Sequence, residues 1–262
     1  LGLSGRDLAI DLGTANILIY ERLRGVVVNE PSFVAVRRDG PRVTPLAFGA
    51  EAKAMLGRVP DGVQVLRPVR NSVIVDLEAA ALMIRHFLGR VLKTGWNLVK
   101  PRVVVGAPSG ITEVEKRAIR DAVAAAAIRD VRLIDESMAA AIGAGLPVLE
   151  PTASMVVDLG AGTTNVAVIS LGDVVAAVSI RQGGDAMDEA IINYLRRGHH
   201  LLVGENTAER IKRTIGAAHA DFDHEQVEVR GRSLTSGAPT ALAVSGAEIR
   251  EAIGEVTAAV LG

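Results

Sequence analysis

The sequence predicts an α/β fold built from two related halves. Two observations carry that expectation. Apolar runs ending in Gly, Pro or Asp alternate with Ala-rich stretches of helical spacing, the pattern of strands interleaved with helices. The opening pattern then returns. Ala9-Ile10-Asp11-Leu12-Gly13 is echoed by Val156-Val157-Asp158-Leu159-Gly160, with the aspartates 147 positions apart (11 to 158). We read the echo as an internal duplication of a strand–turn–strand unit.

Taken in order, Leu8-Ala9-Ile10 reads as a strand entering a turn, Ile17 to Tyr20 as the next strand and Val26 to Val28 as a third. Ala79 to Leu92 has helical spacing. Val103 to Val105 is a buried strand closed by Pro108. Thr112 is the expected cap of the following helix, with Glu115 at the capping-box position. Val131 to Ile134 is a strand and Glu136 to Gly143 a short helix. Pro147 and Pro151 bracket a linker. After the repeated turn come helices at Asp185 to Arg197 and Thr207 to Ala218, strands at Val227 to Val229 and Ala241 to Ala243, and a last helix from Ala247 to Val260. The expected halves are 1–147, with a small subdomain at about 30–75, and 148–262, with one at about 183–245.

Composition narrows the classes. The 262 residues are 49% apolar, enough for a substantial core, and only 3% aromatic, so packing rests on Val, Ile, Leu and Ala. A net charge of -1 gives no electrostatic case for nucleic acid. The absence of cysteine excludes disulfides and thiolate metal sites. No apolar run approaches the roughly 18 residues of a membrane span. The opening Leu1 to Asp7 is too short for a signal peptide and lacks an initiator Met, so residues are expected to precede it.

Chemistry concentrates in the two repeated turns. In Asp11-Leu12-Gly13-Thr14-Ala15-Asn16 a strand ends in a carboxylate and the turn that follows is small. Gly13 allows backbone amides to approach an anion, and Thr14 and Asn16 add polar hydrogens. Asp11 would repel a phosphate directly, but it can hold Mg²⁺ through water. Alone, this run also spells an ordinary hairpin turn. Asp158-Leu159-Gly160-Ala161-Gly162-Thr163-Thr164 repeats the chemistry, and two facing turns would grip a polyphosphate from both sides. The dinucleotide fingerprint does not fit, because its third glycine is absent and Val166 to Ile169 is strand-like where a helix is required. No Walker A sequence is present.

Asp-Leu-Gly-Thr at 11–14 and Asp-Leu-Gly-Ala-Gly-Thr-Thr at 158–164 resemble the two phosphate motifs of the actin, sugar-kinase and heat-shock chaperone superfamily. Arg6 to Asn16, Pro108 to Glu115, Ala139 to Val148 and Gly183 to Tyr194 further resemble the MreB-like filament proteins, along essentially the whole chain. The resemblance implies an actin-like ATPase fold, with ribonuclease H-like duplicated halves around a nucleotide cleft. It implies ATP and Mg²⁺ as cofactors, with Asp11 and Asp158 toward the metal. Gly13, Thr14, Ala15, Asn16, Gly160, Ala161, Gly162, Thr163 and Thr164 would cradle the phosphates. Glu209, Arg210, Ile211 and Lys212 would hold the nucleoside, although a Glu–Lys pair three apart on a helix is by itself a solvated salt bridge. Thr112 and Glu115 would position the attacking water, although they equally spell a plain capping box. The helix Glu136 to Gly143 would join the two halves as a hinge.

The same resemblance implies slow ATP hydrolysis, self-assembly into filaments, cell-shape and cell-wall synthesis partners, and a cytoplasmic location peripheral to the inner membrane. Of an N-terminal membrane segment only Leu1 and Leu3 are seen. Such proteins continue beyond the point where this chain stops, so the second half is expected to be incomplete, without its Gly-rich adenine turn. Ala161 replaces a usual glycine, Ser137 a usual proline, and Lys116 a usual arginine. Two other functions stay open at this point: a non-catalytic filament-interacting copy, and a small-molecule kinase of the same superfamily. The runs His219 to Glu225 and His199-His200 lack metal-ligand spacing and read as polar loops.

Overall fold

The computed structural model describes residues 7–40, 42–92, 101–126, 128, 130–223 and 225–262. Leu1, Leu3, Arg6 and His224 therefore lie outside the described residues. Two compact units form, one of residues up to Gly160 with Asn165–Ser179, the other of Ala161–Thr164 with Ile180–Gly262. These units divide elsewhere than the 147/148 boundary expected from the duplication, and the division into two halves stays a proposal.

The first unit is organised by a five-stranded sheet in the order Asp130–Asp135, Arg102–Ala107, Asp7–Leu12, Asn16–Glu21, Gly25–Pro31. The first three strands are parallel, and the last two are paired antiparallel. Strand alternation sorts the side chains: Asp7–Leu12 buries Leu8, Ile10 and Leu12 and leaves Ala9 and Asp11 exposed. Its buried residues join Val103 and Val105 in one core with Met83, Ile84, Phe87 and Leu88 of the helix Leu77–Leu92 and Ile119 and Val123 of the helix Glu113–Ala124. Each such side chain contributes about 1.5–3 kcal/mol when fully buried.

A second sheet sets Val34–Asp39 between Arg42–Phe48 and Val63–Leu66, with the helix Gly49–Ala54 beside it. Sequence reading assigns no elements here. Val34–Asp39 is buried only along its first three residues and ends in exposed Arg37, Arg38 and Asp39, so its alternation is short. A hairpin of Val69–Arg70 and Val73–Ile74 turns through Asn71 and Ser72, both left-handed at φ 48° and 58°. That is the geometry of a type I′ turn. A three-stranded sheet of Ser154–Leu159, Thr164–Ser170 and Asp173–Ile180 follows.

Among the described residues, three α-helices, a short 3-10 helix at Ala220–Phe222 and a small sheet make the second unit. The α-helices bury one stripe each: Asp188, Ile191 and Leu195 in Gly184–Gly198; Ala208, Ile211 and Ile215 in Glu205–Ile215; Gly246, Ile249 and Ile253 in Gly246–Leu261. The spacing i, i+3, i+7 is one face of a helix. Their apolar members pack with Leu201, Val229 and Val244 of the sheet Leu201–Leu202, Gln226–Ser233 and Pro239–Ser245. The middle helix ends three residues before the expected Ala218. Gly216 leaves the helical region at φ -69°, ψ 129°, and a Cβ there would lie 2.3 Å from the Lys212 carbonyl. The last helix carries a capping box, Ser245 with Glu248, that sequence reading passed over.

Candidate functional site

Asp11 and Asp158 hold the same place in their strands, fifth of six residues in Asp7–Leu12 and in Ser154–Leu159. The first unit brings the two carboxylates together. Asp11 is pushed up to about 6, first by desolvation and then by the charge of Asp158. Water still reaches the exposed Asp11 side chain, so protein crowds it without enclosing it. The residue that completes the group is Glu136. Its carboxyl is pushed up to about 8 by burial, then by Asp11, Asp158 and Asp135.

The sheet explains this convergence. Asp11, Ala107 and Asp135 stand at the carboxyl ends of three adjacent parallel strands, with Ala107 and Asp135 in direct register. In open α/β sheets that end is where ligands bind. Asp135 caps the helix Glu136–Gly143 by accepting from the amides of Ser137 (2.9 Å) and Met138 (3.2 Å). Its other oxygen accepts a short hydrogen bond from the Ser109 hydroxyl. Gly106 then makes room for Glu136, since a Cβ there would stand 3.3 Å from Glu136 Cγ.

The first turn is tight and fastened from behind. A Cβ on Gly13 would meet the Asn16 carbonyl at 2.7 Å. The Gly13 carbonyl accepts from Ser32 Oγ at 2.7 Å, and the Ala15 carbonyl from Ser32 N at 2.8 Å. Thr14 is buried, its hydroxyl accepting from Ser72 N at 3.1 Å. The strained Asn71-Ser72 turn thus braces the motif. Ala15 and Asn16 stay exposed, with Asn16 Nδ2 donating to Asn29.

The second turn divides between the units. Asp158 and Gly160 belong to the first, Ala161, Gly162, Thr163 and Thr164 to the second. Thr163 and Thr164 are buried, and Thr164 Oγ1 donates to the Gln182 carbonyl at 2.7 Å. The Ala161 carbonyl accepts from Asp185 N at 2.8 Å. Also in the second unit, Lys212 Nζ donates to the Gly184 carbonyl at 2.7 Å and lies 2.9 Å from Asp188 Oδ1. Glu209 lies 3.9 Å from Arg213. Arg210 is exposed, and Ile211 is fully buried in the unit's core, so only its backbone is available to a ligand.

Thr112 and Glu115 form a full capping box. Glu115 Oε2 accepts from both the backbone and the hydroxyl of Thr112 at 2.7 Å, and Glu115 N donates back at 3.2 Å. Glu136 is an acid that feels the charge of both aspartates. From the sequence, Glu136 reads only as part of a hinge helix. The available signal is its position one residue past a parallel strand, next to a second acid.

Magnesium fits the acidic group in one respect and is limited in another. Among the described residues, Asp11, Asp158 and Glu136 pair with no Lys, Arg or His, so their mutual repulsion is left for a cation to relieve. Yet no three His, Cys, Asp or Glu of the described residues converge as direct ligands to one metal. The arrangement therefore suits a hydrated cation carried on phosphate oxygens rather than a cage of side chains. Among the described residues the histidine runs carry no such site either. His199 caps a helix end 2.9 Å from Glu248, and Asp223 is paired with Arg250 at 2.8 Å.

Comparison with known proteins gives a consistent family. The profile of the family described as MreB/Mbl protein matches residues 5–262. The chain is 51% identical over 256 residues to the cell shape-determining protein MreB of Escherichia coli K12, covering 97% of this chain and 74% of that protein. To the cell shape-determining protein Mbl of Bacillus subtilis it is 42% identical, covering 98% and 76%. The crystal structure of MreB5 of Spiroplasma citri bound to ADP superposes with a TM-score of 0.91 at 31% identity, over 99% of this chain and 77% of that one. A MamK double helical filament shares the fold alone, at TM-score 0.79 and 20% identity over 98% and 78%. With a duplicated Asp-led strand end, an actin-like fold and a family match along nearly its full length, the chain belongs to the MreB/Mbl family.

Proposed function

We propose that this chain is an actin-like cytoskeletal protein that binds ATP with Mg²⁺ and assembles into filaments that direct cell-wall synthesis and rod cell shape. The observation that carries the reading is the meeting of Asp11 and Asp158, the two repeated strand-end carboxylates, in one unit. The relatives support it: MreB5 has been crystallised with ADP and with AMPPNP, and MreB and Mbl are described as determining cell shape.

In this reading the small turns at Gly13 to Asn16 and Gly160 to Thr164 offer backbone amides to the phosphates, and Glu209 to Lys212 hold the nucleoside. Magnesium supplies charge neutralisation at the phosphate oxygens. Asp11 and Asp158 would hold it. Glu136, whose proton affinity burial raises, would in its ionised form orient the attacking water and take its proton late. Thr112 and Glu115, read from the resemblance as water-positioning residues, hold the start of their helix. Filament growth follows from repeating one head-to-tail contact. Attachment to the inner face of the membrane is peripheral in this reading, and no described helix is long and apolar enough to cross a bilayer.

Sedimentation with ATP and Mg²⁺, run beside phosphate release, tests the assignment. Pelleting with slow turnover is the expected result. Failure to pellet at any nucleotide state, or turnover that needs an added sugar, would contradict it.

A further inference from the structure

We propose that Asp188 is a positioning residue that fixes the ammonium of Lys212 for the nucleotide. The proposal rests on the reading of Lys212 as a nucleotide contact. It begins with a misplaced charge. Asp188 occupies the buried stripe of the helix Gly184–Gly198, in line with Ile191 and Leu195, and is only 9% exposed. An apolar side chain there would pack without desolvating a carboxylate. Burial raises the Asp188 pKa, Lys212 only partly offsets the rise, and Glu209 and Asp185 add to it. A costly acid at a core position calls for a task that an apolar residue could not perform.

Lys212 supplies one. It projects from the neighbouring helix Glu205–Ile215, and its Nζ lies 2.9 Å from Asp188 Oδ1. The approach is off the direction of a hydrogen bond, since Oδ1 has no directed donor, and the contact is an ion pair. One ammonium hydrogen goes to the Gly184 carbonyl at 2.7 Å. An unheld lysine samples many rotamers on its four-carbon stem. Here the carbonyl and the carboxylate fix the charge beside the N-terminus of the helix Gly184–Gly198, whose Gly183 cap provides no side chain. An ammonium has three donors, so hydrogens remain for a ligand. Asp188 touches no ligand in this scheme and acts through Lys212.

A double-mutant cycle separates the possibilities. Binding of a fluorescent ATP analogue with Mg²⁺ is measured for the full chain and for Asp188→Asn, Lys212→Met and the double variant, with thermal melts of each. Both single variants are expected to bind about tenfold more weakly, and the double variant no more weakly than Lys212→Met. Lys212→Arg, which keeps the charge but not the compact donor, is expected to lose affinity as well and guards against misfolding of the Asp188 variant. Full affinity in a folded Asp188→Asn, or an equal loss when Lys212 is already Met, would overturn the positioning role. Full affinity in Lys212→Met would instead overturn the assignment of Lys212 on which the proposal stands.

Discussion

Asp11 and Glu136 stand close enough that the charge of Asp11 raises the proton affinity of Glu136, adding to the larger effect of Glu136's own burial. The acids are thus mutually destabilising when ionised together, and this sets the pH behaviour of the nucleotide-free protein.

Both folded-state values lie above the unfolded ones, at about 6 for Asp11 and about 8 for Glu136. The folded state therefore binds protons more tightly than the unfolded chain. The stability from these two groups is fully present below an ordinary carboxylate pKa of about 4, and is lost as pH rises through the folded values. The melting temperature without nucleotide should fall between about pH 5 and pH 8, and Glu136→Gln should flatten the upper part of that fall. A melting temperature independent of pH, or no change of slope in the variant, would count against the cluster.

Glu136 and Glu115 are separable by function. Glu136→Gln should keep nucleotide binding and slow phosphate release by about 100-fold, the scale of a lost general base. Glu115→Gln should leave turnover nearly intact and cost about 1 kcal/mol of stability by weakening the capping box with Thr112. Single-turnover phosphate release beside chemical denaturation reads both. The reverse pattern would return the water-positioning role to Glu115.

Gly13 is held by close approach rather than by a left-handed backbone. A Cβ would sit 2.7 Å from the Asn16 carbonyl, which is backbone and cannot swing away. Gly13→Ala should destabilise the first unit by about 1–3 kcal/mol and open the turn. Its affinity for the ATP analogue should drop while Gly89→Ala, where added Cβ meets nothing within 4 Å, stays unchanged. Equal behaviour of the two variants would sink the tight-turn account.

Much of this was legible in the residues. Strands with clean alternation, such as Asp7–Leu12, and helices with a single buried stripe, such as Gly184–Gly198, write their period into the sequence. So did the Thr112–Glu115 cap and the duplicated Asp-led turns. Other features depend on partners distant in sequence. The brace from Ser72 to Thr14 spans 58 positions and rests on a two-residue turn without the usual glycine. Lys212 finds Asp188 on another helix, where local spacing suggested only Glu209. Glu136 gains its character from carboxylates that the fold brings in from two other strands, which no short motif records.

The central claim is that Asp11 and Asp158 jointly hold a metal-bound polyphosphate. Calorimetric titration of ATP into the full chain, with Mg²⁺ and then with a chelator, tests it most directly when repeated on Asp11→Asn and Asp158→Asn. The account predicts saturable binding that is lost with the chelator and weakened about tenfold or more in each variant. Unchanged affinity in both variants, or binding indifferent to the metal, would contradict it.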